Sequence, residues 1–178
     1  MNIFDNSKFF LDKISKTARI KKINKLKGKS FICAFFTKKC RAGCKFCFFK
    51  SNFRGLDDIE ETYQMTELGF KKFIDFVNQS NNGYLLLSGG GEPFEKSDFV
   101  IRTVKNAKTD QIVIVTNGFW AKDYDNAKKM IDSLYAALKS RKKIIPVTLR
   151  LSFDQFHYAN LGKDLYKNII DIFSKNYL

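Results

Sequence analysis

The sequence predicts an α/β protein: an incomplete (β/α) TIM-like barrel of four parallel βα units, preceded by a short N-terminal helix. Short apolar runs rich in Val, Ile, Leu and Phe alternate with longer segments whose apolar residues recur at helical spacing. Glycine-rich and polar motifs follow these runs at their carboxyl ends. This alternation predicts a parallel sheet with right-handed crossovers, in which the carboxyl-end loops share one edge.

Two regions are predicted along the chain. Residues 1–29 are expected to form a basic arm with a short helix capped by Asp5 or Asn6, and residues 30–178 the partial-barrel domain. The formal net charge is +14, but the basic residues are spread along the chain. Because a nucleic-acid footprint is clustered, we interpret the charge as a solvated surface and do not favour nucleic acid as a partner.

The remaining elements follow in regular order. The predicted strands are Ser30–Phe36, Tyr84–Leu87, Ile112–Val115 and Pro146–Phe153. The predicted helices are one capped by Thr66, then Ser97–Ala107, Asp123–Leu138 and Leu161–Phe173. No apolar run approaches the ~20 residues of a membrane helix, so no membrane association is expected. The small number of cysteines is typical of a protein in the reducing cytoplasm.

Three of the four cysteines lie in one short loop after the first predicted strand. Cys40, Cys44 and Cys47 have the spacing C-x3-C-x2-C, which favours a metal or iron–sulfur site over disulfides. A structural zinc site needs a fourth ligand, for which His157 or Cys33 is the candidate. An iron–sulfur cubane with three cysteines instead keeps one iron free of protein ligands. Both alternatives follow from the residues.

A glycine run ends the second predicted strand. Consecutive glycines, including Gly90 and Gly91, let backbone approach a ligand closely, and their carbonyls can accept hydrogen bonds from an ammonium group. Glu92 follows them, and Pro93 directs the chain away from the strand. Taken alone, the run is also consistent with an ordinary flexible turn.

The fourth predicted strand alternates strictly between apolar and polar residues. The polar set is expected to face the interior of a curved sheet, where a ligand would lie. Arg150 offers a fork for a carboxylate, and Ser152 and Asp154 can bond carboxylate or ribose groups. A structural ion pair between Arg150 and Asp154 is the alternative. The apolar set is Val147, Leu149, Leu151 and Phe153.

Two further side chains are candidates for the site. His157, which is the only histidine, could shuttle a proton or contact substrate, or could be incidental to function. Asn117 follows the third predicted strand and either reaches a cofactor or caps a turn.

These motifs together resemble those of the radical S-adenosylmethionine (SAM) enzymes. The match includes C-x3-C-x-Phe-C with Phe46 before the last cysteine, a Gly-Gly-Glu-Pro motif, and Ser-x-Asp on the fourth strand. The resemblance extends from Ser30 to about His157. It implies a [4Fe–4S] cluster on the three cysteines, with SAM on the open iron, SAM contacts from the glycine run through Pro93 and from the fourth-strand motif, and adenine packing by Phe46.

The resemblance also implies an activity. The cluster, reduced by flavodoxin or ferredoxin, would cleave SAM to methionine and a 5′-deoxyadenosyl radical that takes hydrogen from a substrate. A peptide is the favoured substrate. A glycyl-radical activase is another option, because Thr116-Asn117-Gly118-Phe119 resembles those enzymes, although Asp154-Gln155-Phe156 lacks their Asp-x-Lys.

The number of βα units departs from the family pattern. Four units are fewer than the family barrel usually has, so the chain is expected to be truncated after the fourth unit, or completed by a partner. A non-catalytic protein that binds a cluster or only a partner is therefore the alternative function.

Overall fold

Four parallel strands, paired in the order in which they occur along the chain, form the sheet. The computed structural model describes residues 28–49, 51 and 64–176. The strands are β1 Ser30–Ala34, β2 Asn82–Leu87, β3 Ile112–Thr116 and β4 Val147–Leu151. The α-helices within these residues are α1 Glu67–Gln79, α2 Ser97–Asn106, α3 Tyr124–Lys139, α4 Gln155–Leu161 and α5 Asp164–Asn176. Two 3₁₀ turns, Pro93–Lys96 and Phe119–Ala121, follow β2 and β3.

The predicted alternation of strands and helices is confirmed. Thr66 caps α1 by accepting from the Gly69 N–H, and Asp123 caps α3 by accepting from the Asn126 N–H. The predicted helix Leu161–Phe173 is wrong in its bounds. Gly162, with φ of +82°, separates α4 from α5. The predicted N-terminal helix and most of the basic arm lie outside the described residues.

Burial alternates along β1, β2 and β4, whereas Val115 is the one residue of β3 that is not buried. Helices α1, α2, α3 and α5 pack on one face of the sheet. Leu85, Leu87, Ile112 and Ile114 are fully buried on that face. On the opposite face, the Phe31 side chain is 60% exposed. The predicted alternation of β4 is confirmed as far as Leu151, because Val147, Leu149 and Leu151 pack against the helix-side core while Thr148 and Arg150 are exposed. The strand ends at Leu151, and Phe153, which was predicted to lie on the apolar face, is 66% exposed. The described part of the sheet therefore has one covered face and one open face.

The strand register brings the carboxyl ends of the strands together. Ala34 pairs with Leu87, Leu87 with Ile114, and Thr116 with Leu151. The loop after each strand consequently starts from the same edge of the sheet, as parallel pairing requires. None of the described helices is long and apolar enough to cross a membrane.

Candidate iron–sulfur site

The cysteine loop follows β1 and lies against the ends of β2 and β3. Cys40 and Cys44 are half-buried and pack against the core, and Ala42 between them is buried. The Cys47 N–H donates to the Cys44 carbonyl at 3.1 Å, which closes a turn. Gly43 adopts φ of +59°, a value that glycine tolerates best. The three thiols therefore project from one short, turned segment.

Burial and nearby charged groups act on the Cys40 and Cys44 thiols. Burial raises the pKa of Cys40 to about 11, with further contributions from the nearby Glu92 and Cys44, against hydrogen bonds from Ala42 and Asn117. Burial also raises the pKa of Cys44, and the adjacent Cys47 and Asp154 add to that increase. Because thiolates are the ligands of iron, loading this site releases protons.

The donor chemistry of the loop fits an iron–sulfur cluster. The described residues contain no group of three or more His, Cys, Asp and Glu side chains that could hold a single metal ion. Three thiols on one turn are the ligand type that iron–sulfur clusters use.

The glycine run approaches the cysteine loop more closely than any side chain would allow. A Cβ on Gly91 would lie 2.2 Å from the Lys39 carbonyl oxygen, and the Glu92 N–H donates to that same oxygen at 2.7 Å. Gly90 has φ of +59°, and a Cβ there would lie 3.2 Å from the Thr37 carbonyl oxygen. The sequence predicted a close approach to a ligand. The close approach in the structure is to the backbone that leads into Cys40.

Glu92 joins the ends of β2 and β3. Its carboxylate is 2% exposed and accepts from the Phe94 N–H at 3.1 Å, the Thr116 Oγ1–H at 2.7 Å and the Asn117 N–H at 2.8 Å. Burial raises its pKa to about 7, although these hydrogen bonds act in the opposite direction. Pro93, also buried, opens the following 3₁₀ turn. The contact of Glu92 and Pro93 with SAM stays a prediction.

Asn117 both shapes a turn and reaches the cysteine loop. Its Oδ1 accepts from the Phe119 N–H at 2.9 Å, and its Nδ2–H donates to Cys40 Sγ at 3.4 Å. The residue is 5% exposed. The two sequence alternatives for Asn117, a turn cap and a contact at the cofactor site, are thus compatible in one conformation.

Arg41 was not identified from the sequence. Its Nε–H donates to Glu95 Oε1 at 2.8 Å, and its guanidinium lies 4.8 Å from the centre of the Phe119 ring. These contacts fasten the cysteine loop to the turns after β2 and β3. Sequence reasoning missed them because Arg41 and Glu95 are 54 positions apart and neither belongs to a recognisable pattern.

The loop after β4 is held mainly by contacts within itself. Asp154 caps α4 by accepting from the Phe156 and His157 N–H groups, both at 3.0 Å, and its Oδ2 lies 2.6 Å from His157 Nδ1. The backbone N–H of His157 is the largest influence that lowers the pKa of Asp154, and the His157 ring adds to it. Asp154 therefore pairs with His157, whereas the sequence alternative had placed it opposite Arg150. Arg150 is exposed on the open face of the sheet.

Aromatic contacts bring the β4 loop against the cysteine loop. The Phe46 ring lies 4.7 Å from the Phe156 ring and 5.8 Å from the His157 ring, measured between centroids. Tyr166 donates to the Ser152 carbonyl at 2.8 Å. Burial raises the pKa of the Tyr166 phenol, to which Asp154 and Cys44 contribute. Phe46, Ser152, Asp154 and His157 are thus gathered near the cysteines, while their roles toward SAM stay predictions.

Two cavities lie away from these loops. One, of about 560 Å³, includes Asn82 and Arg141 at the amino ends of the strands. The other, of about 550 Å³, lies between α3, β4 and α5 and is lined mainly by apolar side chains. Neither is lined by the cysteines. The candidate site is therefore identified by its donor chemistry and its place at the carboxyl edge of the sheet.

The comparison with protein families agrees with this donor set. Residues 26–145 match the family model of the 4Fe-4S single cluster domain, a domain found in radical SAM-type proteins. Because the match covers more than half of the chain, the protein belongs to this family. No curated protein matches the chain. The family distinguishes between the two cofactors left open by the cysteine spacing, in favour of iron–sulfur. The match contains the three cysteines, the glycine run and Asn117, and ends before Arg150.

Proposed function

We propose that Cys40, Cys44 and Cys47 hold one [4Fe–4S] cluster and that the protein is a radical SAM enzyme built on a partial (β/α) barrel. The observation that carries this proposal is the placement of three thiols on one turn, at the carboxyl edge of a parallel sheet, against the ends of the next two strands. When bound and reduced, the cluster supplies one electron that breaks a sulfonium S–C bond of SAM.

The residues of the chain would bind and orient SAM around that cluster. Gly90 lies beside the Thr37 backbone that leads into the cysteine loop, and a carbonyl of the glycine run would accept from the SAM amino group. Arg150 offers an exposed guanidinium on the open face for a carboxylate. Phe46, 52% exposed, offers a ring face to adenine. The Ser152 hydroxyl and the Asp154 carboxylate can bond ribose hydroxyls.

His157 would act as the proton-handling group of the site. Asp154 Oδ2 lies 2.6 Å from its Nδ1, and a carboxylate in this position keeps the proton on Nδ1. The Nε2 atom of that tautomer can then accept a proton from substrate. The His157 side chain is 14% exposed, which shields it from bulk water.

The proposal also includes a class of substrate, an electron donor and a cellular compartment. The open sheet face and the exposed β4 loop leave room for a substrate larger than a metabolite, in keeping with a peptide. Flavodoxin or ferredoxin is the proposed electron donor, and the cytoplasm the proposed compartment.

The test is anaerobic reconstitution followed by two measurements. Iron and sulfide content with electron paramagnetic resonance should show one cubane per chain, and incubation with SAM and dithionite should yield 5′-deoxyadenosine. Single Cys→Ala changes at positions 40, 44 and 47 should abolish the cluster. Cys33→Ala is the matched control, because Cys33 lies on β1, outside the loop, and should leave the cluster intact.

The outcomes separate the alternatives. A cluster that forms without cleavage of SAM would favour the non-catalytic alternative. Zinc in place of iron, or loss of the cluster in Cys33→Ala, would contradict the three-cysteine cubane.

A further inference from the structure

Asn117 presents a polar hydrogen directly to one of the proposed cluster ligands. Its Nδ2 lies 3.4 Å from Cys40 Sγ, within the range of an N–H···S hydrogen bond. We infer that Asn117 is a positioning residue whose N–H···S bond sets the reduction potential of the cluster by stabilising the Cys40 thiolate. This inference rests on the proposed cluster, and it does not depend on cleavage of SAM.

The orientation of the Asn117 amide is determined by its other atom. Oδ1 accepts from the Phe119 N–H at 2.9 Å, so the NH₂ group must be the end that faces the sulfur. The residue is 5% exposed, and water has little access to compete for the donor. The side chain is therefore held with its donor directed at Cys40.

Buried hydrogen bonds also hold the Asn117 backbone. Glu92 Oε2 accepts from the Asn117 N–H at 2.8 Å, while Oε1 accepts from Thr116 Oγ1 at 2.7 Å. The Trp120 Nε1–H donates to the same Thr116 hydroxyl at 3.1 Å. Every member of this network is less than a tenth exposed. Such a network pre-organises the donor before any cluster arrives.

The sign of the effect follows from charge. A reduced cluster carries one more negative charge than an oxidised one, and part of that charge resides on the cysteine sulfurs. A hydrogen bond to a ligand sulfur stabilises the more negative state more strongly, so it raises the reduction potential. Removing the donor should lower the potential and make the cluster harder to reduce.

The experiment measures the midpoint potential of the reconstituted protein. Asn117→Ala removes the donor, and Asn117→Asp keeps the shape but replaces the donor with a carboxylate oxygen. We expect the one-electron reduction equilibrium to become about tenfold less favourable in Asn117→Ala, a shift of about 59 mV, and still less favourable in Asn117→Asp. The matched control is Asn106→Asp, which makes the same chemical change at an exposed position at the end of α2 and should leave the potential unchanged.

A second readout separates tuning from a purely structural role. In the reduced wild-type cluster, electron–nuclear double resonance should detect exchangeable protons from both donors to Cys40, the Ala42 N–H and the Asn117 amide, and only the Asn117 signal should be absent from Asn117→Ala. An unchanged potential in both Asn117 variants, or the persistence of both proton signals in Asn117→Ala, would overturn the inference.

Cluster content distinguishes the remaining outcomes. Loss of the cluster from folded Asn117→Asp would show that the side chain retains Cys40 and does not tune it, which also overturns the inference. A wild-type chain that binds no cluster would refute the proposed function together with this inference. If the wild-type chain binds a cluster that does not cleave SAM, and the Asn117 variants shift the potential of that cluster as expected, the result would support this inference alone.

Discussion

Two regions meet at the carboxyl edge of the sheet, and they are built differently. In the first, Glu92, Thr116 and Asn117 are all at most 5% exposed and bonded to one another or to the cysteine loop. In the second, which follows β4, Phe153 is 66% and Phe156 49% exposed. The first region joins segments distant in sequence, whereas the capping bonds of Asp154 reach only two and three residues onward.

This difference indicates that the two regions suit different kinds of ligand. The buried region holds the thiols through backbone contacts and a network that cannot shift without loss of hydrogen bonds, so it suits a rigid, permanent group. The exposed region keeps side chains accessible, so it suits a ligand that comes and goes. The family match follows the same division, since it ends at residue 145, before the β4 loop.

The largest expected effect is at Gly91. Gly91→Ala would place a Cβ 2.2 Å from the Lys39 carbonyl oxygen and 2.5 Å from the Lys38 carbonyl carbon, both backbone atoms that cannot rotate away. We expect a loss of about 3 kcal/mol in unfolding free energy, with loss of the cluster. Denaturant unfolding and iron content are the measurements. Gly69→Ala in α1 is the control, because its nearest contacts are ordinary ones at 3.4 Å, and it should retain the cluster.

A comparable effect is expected from pH, through Glu92. Its folded pKa of about 7 lies above the ordinary value of 4.5, so the folded chain binds this proton more tightly than the unfolded chain. The stabilisation is fully present below pH 4.5 and is lost as pH rises to about 7, by about 3 kcal/mol in all. Unfolding of the cluster-free protein between pH 4.5 and 8 measures this. The slope of the unfolding free energy against pH should flatten in Glu92→Gln. An equal slope in that variant would assign the pH dependence to another group.

A smaller effect is expected at Asp154. Asp154→Ala removes the cap of α4 and should cost about 1 kcal/mol, while Asp154→Asn keeps a capping oxygen and should cost less. Because this loop does not hold the cysteines through buried hydrogen bonds, both variants should assemble the cluster as the wild type does. Loss of iron from Asp154→Asn would contradict the proposed division between the two regions.

The smallest effect on stability is expected at Arg150. The side chain is exposed, so Arg150→Ala should change the unfolding free energy by less than about 0.5 kcal/mol. The affinity of the Arg150→Ala variant for SAM, measured by calorimetry on the cluster-loaded protein, should nevertheless fall. The variant lacks the guanidinium that would bind the SAM carboxylate. Lys142→Ala, also exposed but in the segment before β4, is the control that should bind SAM normally.

The sequence by itself determined the features that depend on near neighbours. The order of strands and helices, the cap at Thr66, and the β4 alternation as far as Leu151 come from periodicities and capping residues that act within a few positions. The cysteine spacing likewise indicated a metal or iron–sulfur site, and the family match favours iron–sulfur. Sequence reasoning missed α4 because it considered Asp154 as a ligand or an ion-pair partner and not as a helix cap.

Only the tertiary structure decided what holds the cysteine loop in place. Gly91 meets Lys39, Glu92 meets Asn117, and Asn117 meets Cys40, across separations of 52, 25 and 77 positions respectively. No local pattern encodes these pairs, because each forms only when parallel pairing brings the ends of β1, β2 and β3 to one edge. Burial then makes the hydrogen bonds of Glu92 and Asn117 specific, because a buried polar group must find its partner within the protein.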